Sequence, residues 1–129
     1  MRKALLWIIA VMTLANGAFM VLAAERWWAS VPGVDETGAF NAHFVRDVGA
    51  AYVAAGLGLA WFAARPRERV AALVALTFLC LHALFHVLEF AEGHGGGGVT
   101  AVLAVIVPAL IAALAVLWPQ SRISATGDA

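Results

Sequence analysis

The sequence predicts an all-α integral membrane protein, a single transmembrane domain (1–129) built as a four-helix bundle with antiparallel neighbours. The 129-residue chain is 64% hydrophobic and only 12% charged, whereas an ordinary soluble domain is about 45–50% apolar and about 25% charged. Four apolar runs separated by short connections occupy nearly all of it, and each has about the 20 residues that a helix needs to cross a bilayer. We therefore expect the lipid bilayer to be the main partner and no soluble catalytic domain.

The four apolar runs place the helices at about 4–24, 44–64, 70–91 and 99–118. The first run exceeds the core of about 7–15 residues that is typical of a cleaved signal peptide, so we expect a retained helix. Pro66 ends the second helix in a basic turn, and Pro108 is expected to kink the fourth. The glycines at 95–98 are expected to be a flexible connection and the tail from Gln120 to be frayed.

The longest connection is the predicted outward loop, 25–43, which begins Glu-Arg-Trp-Trp. Trp27 and Trp28 suit a membrane interface, where the ring stays in the apolar zone and the N–H in the wet one. Alternatively, the two tryptophans form the lid of a ligand pocket. Asp35 or Thr37 is placed to cap a short interfacial helix in this loop.

Basic residues predict the orientation, because short cytoplasmic loops carry an excess of Lys and Arg. Two of them, Arg26 and Arg46, fall on one side of the predicted bundle. The other side has six: Arg2, Lys3, Arg65, Arg67, Arg69 and Arg122. We therefore expect a multi-pass protein of the cell inner (plasma) membrane, with both termini cytoplasmic and the histidines in the outward half.

The third apolar run carries three ionisable residues on one helical face. His82, His86 and Glu89 stand at i, i+4 and i+7, the spacing that aligns side chains along a helix. Such groups are unfavourable in hydrocarbon unless they are paired, so an ionisable stripe inside a membrane helix indicates a functional site. The stripe is therefore expected to face protein.

Counting residues along the predicted helices places further polar residues at the same depth in the membrane as this stripe. Helices two and three meet at Pro66, so residues at equal depth have numbers that sum to about 133. Asp47 then lies level with His86, and Arg46 within a turn of Glu89. By the same rule His43 lies level with Phe90.

Two helical counts complete the predicted polar cluster. A rise of about 1.5 Å per residue places Asn16 and His82 both about 18 Å above the inner boundary. Counting from Asp47, small residues recur at i+3, i+7 and i+11, which predicts that Asp47 belongs to the packed face of its helix. Those small residues are Ala50, Ala54 and Gly58.

Three interpretations of this cluster stay open from the sequence. The first, which we favour, is a structural network in a structural or accessory membrane component, where buried polar groups fix the helix register. Its expected pairs are Arg46–Glu89, Asp47–His86 and Asn16–His82.

The second interpretation is a site for one transition metal, zinc, copper or iron. Histidines at i and i+4 can share an ion, completed by nitrogen or oxygen ligands; the candidate ligands are His82, His86, Glu89 and Asp47, with His43 as a further donor. The third is an outward-opening pocket for a small lipophilic ligand, or a proton relay, with His86 and Asp47 as an acid/base pair.

Several function classes are disfavoured. The net charge is zero with no basic tract, so no nucleic-acid partner is expected. The glycine run lacks the spacing and Lys-Ser/Thr of a nucleotide loop, and one helix cannot supply histidines to both faces of a haem. Cys80 is the single cysteine, which excludes an intrachain disulfide. Without a nucleophile elbow or inverted repeats, the sequence favours a role that is neither enzymatic nor that of a lone transporter.

The stretch Gly38 to Ala60, GAFNAHFVRDVGAAYVAAGLGLA, together with the layout of four spans and a longer outward first connection, resembles the small DoxX-like bacterial membrane proteins. The chain departs from that pattern by having no basic residue inside its first helix. The resemblance implies a bacterial inner-membrane protein that is an accessory to a redox system, and it transfers no catalytic residue. Small-residue faces also make a homo-oligomer or a larger membrane complex a candidate assembly.

Overall fold

A computed structural model describes residues 1–93 and 98–118, and throughout those residues the secondary structure is helical, without strands. The elements in chain order are α1 (Arg2–Leu22), α2 (Ala24–Ser30), a 3-10 turn (Val34–Thr37), α3 (Ala42–Ala64), α4 (Arg69–Ala91) and α5 (Gly98–Leu117). The expectations for the glycine run and for the tail from Gln120 lie outside the described residues, apart from Gly98, which begins α5.

Four of these helices, α1, α3, α4 and α5, are long and apolar enough to cross a membrane. Their outer faces expose large apolar side chains such as Leu57, Val74 and Leu110, each more than half accessible. Contiguous apolar surface of this extent is unfavourable in water and is what a lipid-facing helix presents. The prediction of an all-α fold is confirmed for the described residues, and four of their helices are long and apolar enough to span a membrane.

Glycines set the close contact between α1 and α3. A Cβ atom added at Gly17 would lie 2.7 Å from the carbonyl oxygen of Gly49, and one added at Gly49 would lie 2.6 Å from the Met20 Cβ. Two turns further along α3, Gly56 is equally close to Leu14. Small residues at a helix interface allow this approach of the two backbones.

The predicted packed stripe on the second span was therefore partly wrong. Ala50 and Ala54 are exposed, as is Asp47, and only Gly58 packs, with α4, where an added Cβ would meet the Ala71 carbonyl at 2.7 Å. The prediction took the small residues that recur from Asp47 as the packed face, and that choice set the phase of the helix. Close backbone contact at Gly49 sets the phase instead.

At one end of the bundle, which we call the basic end, Arg2 ties three helices together. Its Nε donates to the Ala115 carbonyl at 2.7 Å, and its guanidinium lies 5.3 Å from the centre of the Phe62 ring. The core here is completely buried; its members Ala10, Leu59, Phe62, Ala63, Ala72 and Ala112 have no accessible surface. The Ala115 and Val116 carbonyls lie in the last turn of α5, where carbonyls lack an intrahelical partner, and the Arg2 guanidinium donates to both.

Two local features shape the other end of the bundle: the N-cap of α3 and a π-helical turn in α5. Asn41 caps α3 by accepting hydrogen bonds from the backbone N–H groups of His43 and Phe44, so α3 begins at Ala42, two residues before the predicted start. In α5, residues Val102–Ile106 form a π-helical turn just before Pro108. Because proline has no N–H and its ring clashes with the carbonyl four residues earlier, the wider turn accommodates it.

Candidate ligand cavity

A cavity of about 290 Å³ lies at the end of the bundle opposite to the basic end, and we call that end the cavity end. All four long helices and the α1–α3 connection contribute to its wall. The wall is mainly apolar and aromatic, with a few polar groups, the composition that is typical of small-molecule sites. Its polar members are Asn16, Thr37, Tyr52, His82, His86, Glu89 and Thr100 together with the two tryptophans Trp27 and Trp28.

The face of α4 that enters the cavity carries the predicted ionisable stripe. His82, His86 and Glu89 are each half-buried, whereas most of their neighbours in this part of α4 are exposed. The His82 and His86 rings meet edge to face with centroids 4.9 Å apart, and His86 Nδ1 lies 3.4 Å from Glu89 Oε2. The helical period that defined the stripe therefore turns all three side chains inward.

Tyr52, on α3, completes an aromatic cluster around His82. Its ring packs edge to face against both Phe78 and His82, at 5.1 and 5.5 Å between centroids, and Phe78 stacks nearly parallel to His82 at 5.6 Å. The Tyr52 Cβ lies beside Gly17, where an added Cβ would come within 2.8 Å of it. The glycine contact between α1 and α3 thus fixes the position of Tyr52.

The connection between α1 and α3 folds over the cavity. Trp27, in α2, donates its indole N–H to the Asn16 Oδ1 in the middle of α1 at 3.0 Å, and Asn16 Nδ2 lies 3.6 Å from the Met20 sulfur. Trp28 lines the same cavity and packs against Phe40 with ring centres 5.6 Å apart. The α-helix in this connection is α2, and Asp35 and Thr37 both lie in the 3-10 turn that follows it. The prediction that Asp35 or Thr37 caps a helix is therefore wrong.

The three side-chain pairs expected from the depth rule are not formed among the described residues. Asp47 contacts His43 on its own helix, with 3.2 Å between Oδ2 and Nε2, and both side chains are largely exposed. Arg46 is also exposed and makes no ion pair with a described residue. The predicted Asp47–His86 contact is wrong, because Asp47 lies on the exposed side of α3, near the start of that helix.

The remaining pairs differ for a similar local reason. Glu89 pairs with His86, one turn away on the same helix, instead of with Arg46. Asn16 accepts a hydrogen bond from Trp27 instead of contacting His82. Asn16, His82, His86 and Glu89 nevertheless line one cavity, while His43, Arg46 and Asp47 lie outside its lining. Within residues 1–93 and 98–118, no three His, Cys, Asp or Glu side chains come together as metal ligands.

Sequence reasoning missed Tyr52 as a member of the site. It is the only tyrosine in the chain and lies in the middle of a membrane-spanning run, where its hydroxyl needs a polar partner. The depth rule that was applied to Asp47 also places Tyr52 level with Leu81, next to His82. The signal was therefore present, but a search for ionisable residues passes over a neutral phenol.

No protein-family model, curated protein or solved structure matches this chain.

Proposed function

We propose that the chain is a multi-pass protein of a bacterial inner membrane whose outward-facing cavity binds a small lipophilic molecule. The observation that carries the proposal is the cavity itself, about 290 Å³ in volume and walled by all four long helices. An apolar cavity of about 150 Å³ is enough to bind benzene. A ligand of about twice that size fits here and reaches its site from the surrounding lipid.

The contacts around the cavity favour ligand binding over the structural network. In a network that holds the bundle together, polar side chains of different spans bond one another. Here the paired groups lie on one helix, as His86 and Glu89 do, or link the loop to α1, as Trp27 and Asn16 do. The polar side chains of α3 and α4 therefore serve the cavity between the helices.

The proposed binding is tested with radiolabelled naphthalene, which has no polar group, and protein in lipid nanodiscs. Uptake by empty nanodiscs is subtracted. We expect saturable binding of one molecule per chain, and Val48→Trp, which fills the cavity from α3, should weaken it at least tenfold. Leu57→Trp is the matched control, because Leu57 lies on the same helix and is 57% exposed on its outer face.

Two results would overturn the proposal: uptake that equals that of empty nanodiscs, or equal binding by the Val48→Trp and Leu57→Trp variants. Circular dichroism establishes that both variants keep their helical content. Ala104→Phe fills the cavity from the α5 wall and serves as a second variant.

We further propose antiparallel neighbouring helices and cytoplasmic termini, with the cavity end outward. This is supported by the six-to-two distribution of basic residues and by Arg2, which joins the start of α1 to Phe62 near the end of α3. In a Cys80→Ala background, an impermeant maleimide applied to intact spheroplasts should label Ser30→Cys and spare Arg67→Cys. The reverse pattern would invert the orientation.

The DoxX-like resemblance adds an accessory role in a redox assembly to this proposal. A homo-oligomer or a larger complex stays a prediction. Crosslinking in native membranes decides it, since bands of the monomer alone at several crosslinker lengths would remove both assemblies.

A further inference from the structure

Four polar side chains of the cavity have no hydrogen-bond partner within the described part of the chain: Trp28, Tyr52, His82 and Thr100. Of these, Tyr52 and His82 pack against each other. Tyr52 is only 8% exposed and its hydroxyl bonds to no described residue. The ring nitrogens of His82 are likewise unbonded there, since His82 makes ring contacts only. No fully buried side-chain nitrogen or oxygen in residues 1–93 and 98–118 lacks a hydrogen-bond partner, so the unbonded Tyr52 hydroxyl and His82 nitrogens stay accessible from the cavity that both residues line. They mark where a ligand's polar atom can bond.

Asn16 and His86, which also line the cavity, are already engaged. The Asn16 amide holds Trp27 and approaches Met20, and His86 lies against Glu89. Tyr52 and His82 are neighbours, with ring planes at 86° and centroids 5.5 Å apart. A phenol donates and accepts, and a neutral imidazole has one donor and one acceptor nitrogen, so a single ligand oxygen between them can bond to both.

The charged residues of the cavity wall indicate that the ligand's oxygen belongs to an uncharged group. Glu89 lines the cavity, and no Lys or Arg side chain among the described residues does so. A carboxylate or phosphate ligand would bring a negative charge into an apolar site without a cation to pair with it. A hydroxyl or a carbonyl oxygen meets no such penalty.

The shape of the wall favours a flat, rigid ligand. Five aromatic side chains of the connection and of α3 and α4, besides the histidines, line the cavity: Trp27, Trp28, Phe44, Tyr52 and Phe85. Aromatic rings gain from stacked and edge-to-face contacts with other rings. A flexible acyl chain would use neither these ring contacts nor the Tyr52 and His82 groups, and the volume suits one or two fused rings.

We infer that the ligand is an uncharged one- or two-ring lipophile that carries a hydroxyl or carbonyl oxygen, and that Tyr52 and His82 hold this oxygen. The inference rests on the proposed function and specifies its ligand class. Tyr52 then recognises the polar atom, while the aromatic wall binds the ring.

The test compares 2-naphthol with naphthalene in the same nanodisc assay, each corrected for partition into empty nanodiscs. The wild-type protein should bind 2-naphthol about tenfold more tightly, the effect of about one net hydrogen bond. Tyr52→Phe keeps the ring and removes only the hydroxyl, and should abolish this preference while changing naphthalene affinity less than about twofold. His82→Leu should also reduce the preference.

Thr77→Val is the matched control. It removes a hydroxyl from the exposed face of α4, where Thr77 bonds to the Leu73 carbonyl, and should leave both affinities unchanged. Saturable naphthalene binding without a preference for 2-naphthol, or a preference that survives in Tyr52→Phe, would overturn this inference and leave the proposed function standing. Absence of saturable naphthalene binding would overturn the proposed function and this inference with it.

Discussion

The basic end and the cavity end of the bundle are built from the same helices and differ in how their interior is filled. At the basic end, small alanines surround Leu59 and Phe62, and those side chains have no accessible surface. At the cavity end the helices enclose about 290 Å³ of space, and the polar side chains gather there. Close packing secures the fold at one end, which leaves the other end free to carry a site.

The largest expected difference between the ends concerns phenylalanine truncation. Phe62→Ala empties a fully buried position at the basic end and should lower the free energy of unfolding by about 3–5 kcal/mol. Phe44→Ala removes the same atoms from a side chain that is 62% exposed beside the cavity, and should cost less than about 1 kcal/mol. Reversible unfolding in mixed micelles measures both. Equal losses would remove the distinction between the ends.

A smaller loss is expected where α1 meets α3. Gly17→Ala places a Cβ 2.7 Å from both the Gly49 carbonyl oxygen and the Val53 nitrogen, so the helices must separate. Overpacking of this kind typically costs about 1–3 kcal/mol. The control Ala50→Leu adds more atoms to an exposed position of α3 and should be nearly neutral. If Gly17→Ala melts at the wild-type temperature, the close contact is not required.

The hydrogen bond between Trp27 of the connection and Asn16 of α1 should contribute less to the free energy of unfolding than the glycine contact does. Trp27 and Asn16 share one hydrogen bond, so a double-mutant cycle of Trp27→Phe with Asn16→Leu should give a coupling of about 0.5–1.5 kcal/mol. Replacing Trp28, whose ring contact is with Phe40 instead, should show no coupling to Asn16. Similar values in the two cycles would mean that Trp27 contributes only apolar contact.

The smallest effect is expected for Asp47, which the sequence placed in the polar cluster. Its side chain is 65% exposed, and among the described residues its one ion pair is with His43, so Asp47→Ala should change the free energy of unfolding by less than about 0.5 kcal/mol. His43→Ala, which removes the other member of the pair, should give the same result. A loss above 1 kcal/mol in Asp47→Ala alone would restore a buried role for this carboxylate.

The helices could be predicted from the sequence because each depends on a local property. A run of about 20 apolar residues specifies a span, and the i, i+4, i+7 spacing placed His82, His86 and Glu89 on one face of α4. Contacts between elements also depend on how each helix is rotated about its axis and on the path of the loops. The depth rule predicts neither, because it uses only the position of a residue along its helix. It gave the level of Asp47 along the bundle but not the side of α3 on which it lies.

The partner of Asn16 shows the same limit. Trp27 is only 11 residues away, yet its contact depends on α2 turning back over the cavity, which no periodicity in the loop encodes. Tyr52, by contrast, was within reach of the depth rule, and was missed because the search was restricted to charged groups and their partners. The inward face of α4 that carries His82, His86 and Glu89 could thus be predicted, whereas the side-chain pairs could not.

Photolabelling shows whether the cavity end holds a small lipophile. Protein in lipid nanodiscs is irradiated with 2-azidonaphthalene and its peptides are mapped by mass spectrometry. We expect labels on residues of the cavity wall, such as Trp27, Tyr52 and His82, and these labels should disappear with excess 2-naphthol. Labels confined to outer residues such as Leu57, Val74 and Leu110, unaffected by the competitor, would contradict it.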